Sequence, residues 1–480
     1  FLSMQILTFR HALAFLRVHG VFLCQNDTER NPTPMHQENL MGTMPIPKLI
    51  VKMSLPPVFS MFLQYSYNLI DSAFVAQLSE NALTAVSLSF PITALMTSAS
   101  VWLGVGINIL IAGYLGENEP KKANRAVTHG LLLSVLVGTA LNVLALVLMR
   151  PYFAAFTRDA SLYALCLEYL GVCAFMQVPS MVYISIEKIL QATGNMIQPM
   201  FLQIAGVLVN LVFDPLLIFG IGPFPQMGVT GAALASVMGY IFSMLLALWL
   251  LFGTKQQVRM ETHGFRAERK MIRGIFMLGL PSFVMNALSS FSVIFVNLFL
   301  AGYTPTAIAF FGVYFKVQQM IAMTMNGLIQ GVLPIMRFNH SAAKPRRVQA
   351  AFHVGTGIVM GIMGVGALLL LAVPRQILAL FAASAEMQAL GVPAMRILGI
   401  GFLFNGFSTM SATYLQATDH ILPSIFIQLC RQFAVLLPLM AALNAILQMQ
   451  GIWMAFPAAE IFTAVLAAGL YARCKAHPAG

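Results

Sequence analysis

Charge is what this sequence has least of. Only 9% of its 480 residues are charged, against 59% apolar, and the mean hydropathy is +0.81. Soluble domains are nearer a quarter charged, so an ordinary water-soluble domain is excluded. The five cysteines, Cys24, Cys166, Cys173, Cys430 and Cys474, form no CxxC pair and are expected to be reduced and structural. The nine histidines show no HExxH or CxxC…H spacing, so no zinc-type centre and no cofactor is expected. GxSxG and paired catalytic aspartate motifs are also missing, which argues against an enzyme. Alternation of period two does not occur at strand length, which excludes a membrane β-barrel.

What the sequence does have is long apolar runs. About a dozen run to roughly 20–28 residues, enough for helices to cross some 30 Å of hydrocarbon. Spans are expected near 48–77, 83–113, 126–149, 162–187, 197–220, 229–252, 274–300, 306–335, 349–373, 391–417, 421–446 and 451–472. The net charge of +11 then finds its explanation in the loops. One side carries Lys48, Lys121, Lys122, Arg125, Lys255, Arg269, Arg346, Arg347 and Arg473 among others, while the other carries Arg150, Arg158 and Arg375. The positive-inside rule puts both termini in the cytoplasm, and for a bacterial source the membrane expected is the cytoplasmic (inner) one. Residues 1–47 read as a leader and cytoplasmic N-terminus. The first 34 are interrupted by Arg10, His11, Arg17 and His19, and are expected to be over-extended or poorly ordered rather than an interfacial helix or signal segment.

One offset of 225 residues aligns three separate places. Leu55-Pro56 meets Leu280-Pro281, Pro120-Lys121-Lys122 meets Pro345-Arg346-Arg347, and Leu190–Thr193 meets Leu415–Thr418. The repeat holds six spans, an even number, so both copies have the same orientation, related by an axis along the membrane normal. The fold expected is all-α and transmembrane, with twelve helices in two six-helix bundles (48–252 and 274–480) joined by a basic linker, 253–273. Two bundles around a central cavity form a transporter architecture.

Acids inside a bilayer are costly and mark ion or proton sites. Asp71 lies about six residues before the outer end of span one, and Asp214 the same distance before that of span five. Both should therefore sit at one depth. Asn210 is one turn before Asp214 on the same face, and Ser236 of span six reaches a similar depth. Ser236 could also free the carbonyl of Ala232, one turn earlier, by bending the helix. Such a set of oxygens suits Na⁺, and two close carboxylates equally can hold a proton. Lys316, near the middle of span eight, is a candidate cavity charge. Glu187 and Lys188 at the cytoplasmic end of span four are expected to pair or snorkel, and Arg431 and Glu460 to pair across neighbouring helices as a structural contact. The aligned positions for the two aspartates in the second half are Val296 and Leu439, which places the ion chemistry in the first half. Pro56, Pro57, Pro91, Pro179, Pro215 and Pro281 are plausible bend points. The 31 methionines and 36 phenylalanines suit a pliable cavity, although ordinary packing accounts for most of them.

NLIDSAFVAQL around Asp71, GYLGENEPKKANRA at 113–126, LQATGN at 190–195, NLVFDPLLIFG at 210–220 and GVTGAALAS at 228–236 together resemble the multidrug and toxic compound extrusion (MATE) family, over Pro45 to Arg473. The resemblance implies twelve helices in two bundles and drug export driven by inward Na⁺ or H⁺. It also implies a cation site at Asp71, Asn210, Asp214, the carbonyl of Ala232 and Ser236, with serine standing where threonine is usual. The second basic loop, PIMRFNHSAAKPRR, departs from the family pattern. The lack of counterpart acids in the second half argues against the branch with a C-terminal ion site.

The function expected is secondary active efflux of cationic or amphiphilic drug-like molecules. The partners are then small molecules and membrane lipids, with no nucleic acid, and the chain acts as a monomer. The alternative is a flippase or exporter of a lipid-linked or other endogenous metabolite, which would call for a basic cavity built from Lys316, Arg396 and Arg431. A major-facilitator transporter would need a Gly- and Arg-rich loop after span two, which is absent.

Overall fold

The computed structural model describes residues 40–476 apart from Arg158, residues 262–264 and Ala382. Most of the leader, with Cys24, and Arg158 of the sparsely basic side lie outside the described residues. Every regular element among those described is helical. Eleven helices are long and apolar enough to cross a membrane, and one bent pair brings the number to twelve.

In chain order these are α1 (Ile46–Ala76), α2 (Glu80–Gly116), α3 (Pro120–Phe156), α4 in two pieces (Ala160–Ala174 and Gln177–Ala192), α5 (Ile197–Phe219) and α6 (Gly228–Gly253). The second half repeats the pattern with α7 (Arg269–Leu300), α8 (Pro305–Ser341), α9 (Pro345–Ala372), α10 (Ala385–Ala417), α11 (Ile421–Leu447) and α12 (Met449–Ala476). The fourth span differs from expectation. It runs on to Ala192 and bends by 41° at Phe175–Met176. Pro179 lies in the first turn after that break, where its missing N–H costs least.

The repeat is written into the helix ends. Ser79 caps α2 by accepting from Ala82 N, and Thr304, 225 positions on, caps α8 by accepting from Ala307 N. Asp159 and Ser384 cap α4 and α10 in the same way. Pro120 and Pro345 open α3 and α9, where proline is preorganised for the first turn. The left-handed residues fall in register too: Asn118 (φ 60°) with Ala343 (φ 53°), and Gly194 (φ 86°) with Asp419 (φ 64°).

The halves meet along two antiparallel seams that the same offset exchanges. A side chain on Gly331 of α8 would strike Ser54 of α1, and one on Gly279 of α7 would strike the Trp102 carbonyl and Gly106 of α2. Small residues let these backbones approach closely, which is how helices associate where lipid is as apolar as leucine. Trp102 spans its seam by donating its indole N–H to the Phe276 carbonyl at 2.7 Å. Tyr65 donates to the Lys316 carbonyl, also at 2.7 Å. At the basic-loop end α2 and α8 cross on the pseudo-axis, Gly116 against the Phe338 carbonyl and Gly113 against Ser341.

Each half is also strapped to the other. Before α1, the carbonyls of Met41 and Met44 accept from Arg347 at 3.0 and 2.7 Å, and Asn339 reaches Met41 at 2.9 Å. Before α7, the linker backbone at Arg259, Glu261 and Glu268 is held by Asn124, Thr128 and His129 of α3.

Candidate cation site

Three helices of the first half each supply two side chains one turn apart. α1 brings Tyr67 and Asp71, α5 brings Asn210 and Asp214, and α6 brings Ala232 and Ser236. Residues four apart share a face, so each helix presents its pair together. Asp71 lies five residues before the last residue of α1, and Asp214 five before the last of α5. The two carboxylates thus stand level, about 8 Å from their helix ends at 1.5 Å per residue.

Asp214 is completely buried and Asn210 is 6% exposed. The Asn210 amide is satisfied when its nitrogen faces Asp214, donating to Oδ1 and Oδ2 at 3.0 and 2.8 Å. Its oxygen then accepts from the hydroxyls of Tyr67 at 2.8 Å and Ser236 at 3.2 Å. The Tyr67 hydroxyl is also within hydrogen-bonding reach of Asp214 and Ser236, and Asp71 is close enough to act on Tyr67, Tyr169 and Asp214 electrostatically. Asp71 Oδ1 is buried and has no hydrogen-bond partner among the described residues. An unpaired buried carboxylate oxygen is expensive unless a cation or a proton meets it.

Asp71, Asn210, Asp214 and Ser236 are therefore brought together, with Ala232 buried one turn from Ser236 on the α6 face. The Ser236 hydroxyl is engaged by Asn210, where the sequence suggested a bond that frees the Ala232 carbonyl. Tyr67 and Tyr169 complete the cluster and were not picked out from sequence. The signal for Tyr67 was its place one turn before Asp71. Among the described residues, no group of three or more His, Cys, Asp or Glu side chains is arranged to hold a metal ion.

Lys316 stands apart from this cluster, its side chain exposed and its carbonyl taken by Tyr65. Glu187 and Lys188 do pair, at 3.0 Å, but as a buried pair and not at a rim. Lys188 Nζ also donates to Gln191 Oε1 at 3.0 Å and, across the seam, to Gln330 Oε1 of α8 at 2.6 Å. The expected Arg431–Glu460 pair is absent: no ion pair joins them among the described residues. Two side chains of α10 separate them, Asn405 donating to Glu460 and Thr409 accepting from Arg431.

The MatE family model matches residues 56–216 and 281–466, one block in each half. Over 431 residues the chain is 25% identical to the multidrug export protein MepA of Staphylococcus aureus, covering 88% of this chain and 93% of that protein. Over 424 residues it is 24% identical to a FAD transporter of Shewanella oneidensis, again covering 88% and 93%. Among solved structures, an outward-facing multidrug resistance MATE family transporter of the MOP superfamily superposes with a TM-score of 0.86 at 21% identity, over 93% of this chain and 99% of that one. A MOP superfamily transporter from Pyrococcus furiosus gives 0.85 at 21%, over 93% and 98%.

Proposed function

The chain belongs to the MatE family of multi-pass membrane transporters, and we propose that it exports cationic or amphiphilic drug-like molecules in exchange for inward Na⁺ or H⁺. It is a transporter and not an enzyme. The observation that carries the coupling proposal is the level pair Asp71 and Asp214, one with an orphaned oxygen and the other held by Asn210.

The cycle follows from the donors around that pair. The Asn210 nitrogen supplies the hydrogen bonds that the buried Asp214 carboxylate needs, and the hydroxyls of Tyr67 and Ser236 hold the amide in that orientation by donating to its oxygen. Turning the amide over would set its oxygen beside both Asp214 oxygens, a grouping that only a cation, or a proton on Asp214, stabilises. Binding would thus exchange one hydrogen-bond pattern for another on α1, α5 and α6. A packed bundle responds to such an exchange by rocking as a body rather than by graded deformation. The contact of α2 with α8 at the basic-loop end supports an outward-facing state, with both termini on the cytoplasmic side of the inner membrane. We take the working unit to be a monomer.

Growth of a pump-deficient bacterial host in ethidium, quinolones or biocides, with and without Na⁺, tests this reading. Asp71→Asn should insert normally and abolish resistance. Normal resistance in that variant would remove the coupling site. The relative named as a FAD transporter favours a second reading, export of an endogenous metabolite. Flavin released by cells carrying the wild-type chain, without any gain in drug resistance, would select it.

A further inference from the structure

The second half has its own acid within a span, with one carboxylate oxygen shut off from solvent. Glu460 of α12 points towards α10, with its Cγ against Gly401. Asn405 Nδ2 donates to its Oε1 at 2.7 Å. One turn along α10, Thr409 Oγ1 accepts from Arg431 Nη1 at 2.8 Å. Arg431 lies in the π-helical turn Cys430–Ala434 of α11, where Val435 N closes on the Cys430 carbonyl. Such widened turns recur at functional positions within helices. Two titratable or charged groups act on Glu460 from the packed helices, Arg431 from α11 and Tyr314 from α8. Neither supplies a hydrogen bond to Oε2, which is shut off from solvent and has no partner among the described residues.

An ionised carboxylate oxygen left in that position would bear its full desolvation cost. A metal cation would not relieve it, because the side chain hydrogen-bonded to the carboxylate offers an amide N–H and the Thr409 oxygen is already taken by Arg431. A proton does relieve it: one O–H bond forms at Oε2, the Asn405 bond to Oε1 is kept, and no other bond changes. We infer that Glu460 is a proton-binding site of the second half, separate from the Asp71–Asp214 cluster and selective for H⁺ over metal cations. This goes beyond the coupling site proposed for the first half and does not depend on it.

Infrared spectroscopy on the full-length reconstituted protein tests the inference. In an Asp71→Asn/Asp214→Asn background, the C=O stretch of a protonated, water-excluded carboxyl should be present at neutral pH. Adding Glu460→Gln should remove it. No such band in the double variant, or a band that survives in the triple variant, overturns the inference. Glutamine copies the protonated acid, so Glu460→Gln alone should keep the wild-type melting temperature at neutral pH. A fall of many degrees would mean that an ionised Glu460 is needed beside Arg431, and that too overturns it. Drug export that survives Asp71→Asn would sink the first-half coupling site without moving this band, so the two readings fail separately.

Discussion

The Phe338 carbonyl of α8 occupies the place where a side chain on Gly116 of α2 would begin. Backbone therefore rests on backbone at the basic-loop end, and the offset pairs this contact with the one between Gly113 and Ser341. A methyl group at Gly116 has no space unless the halves part. Forcing such an atom into a packed contact costs about 1–3 kcal/mol. Gly116→Ala should thus populate a state opened at that end. The check is a cysteine replacing Leu328, which is buried on the α1 seam, in a chain without native cysteines. Its reaction with a water-soluble maleimide should be faster in the alanine variant, and an unchanged rate would show that this contact does not hold the end closed.

Asn210 is the residue whose amide oxygen would meet the cation beside Asp214 once the amide turns over, and polar contacts to charged groups are worth about 1.5–3 kcal/mol each. Asn210→Ala should weaken coupling-ion affinity by roughly tenfold or more, since about 1.4 kcal/mol is a factor of ten. Ser236→Thr keeps the hydroxyl and should remain close to wild type, while Ser236→Ala should fall between the two. Ion-dependent quenching of intrinsic fluorescence in detergent would rank them. A Ser236→Ala variant weaker than Asn210→Ala would reverse the hierarchy assigned to the cluster.

The buried Glu187–Lys188 pair predicts that losing one charge costs more than losing both. Lys188→Met leaves a carboxylate enclosed and uncompensated, a change that costs about 3–5 kcal/mol. Adding Glu187→Gln removes that charge, and the double variant should recover most of the loss. Thermal unfolding in detergent distinguishes this from a solvated pair, for which both single variants would sit within about 1 kcal/mol of wild type.

The extent to which sequence foretold these features follows from where each kind of information resides. Span number, the repeat and the matching distances of Asp71 and Asp214 from their helix ends depend on hydrophobic length and helical rise, which are local properties, and they were legible. The aspartates could be set level by counting from the helix ends alone. Tyr169 was not legible, because it joins the cluster from α4, whose direction is set by the break at Phe175–Met176. Lys188, read as lying at the cytoplasmic end of its span, is a buried donor to Gln330 of α8, a contact between halves that helical periodicity does not encode. Arg431 and Glu460 looked like a pair because both are deep and on adjacent helices. Asn405 and Thr409 stand between them because of side-chain packing, which no periodicity encodes.

Ala343 and Asp419 share a left-handed backbone, yet substitution by glycine should move stability in opposite directions. Ala343 occupies the turn before α9 at φ 53°, where its counterpart Asn118 in the first half is one of the residues that tolerate this conformation. The left-handed region costs alanine about 1–2 kcal/mol, and glycine escapes that penalty while giving back up to about 1 kcal/mol in backbone entropy. Ala343→Gly should therefore stabilise the protein by roughly 0.5–1 kcal/mol. Asp419 stands at φ 64°, where its counterpart Gly194 is already glycine, so conformation alone would favour the same change. Its carboxylate, however, accepts from Arg337 at 2.6 Å, and that arginine side chain is 9% exposed. Losing a charged partner of a nearly buried arginine costs about 1.5–3 kcal/mol, more than the backbone gains, so Asp419→Gly should destabilise. Melting curves of the two variants under identical conditions decide the matter, and stabilisation by both would mean that the Arg337–Asp419 contact contributes less than the backbone gains.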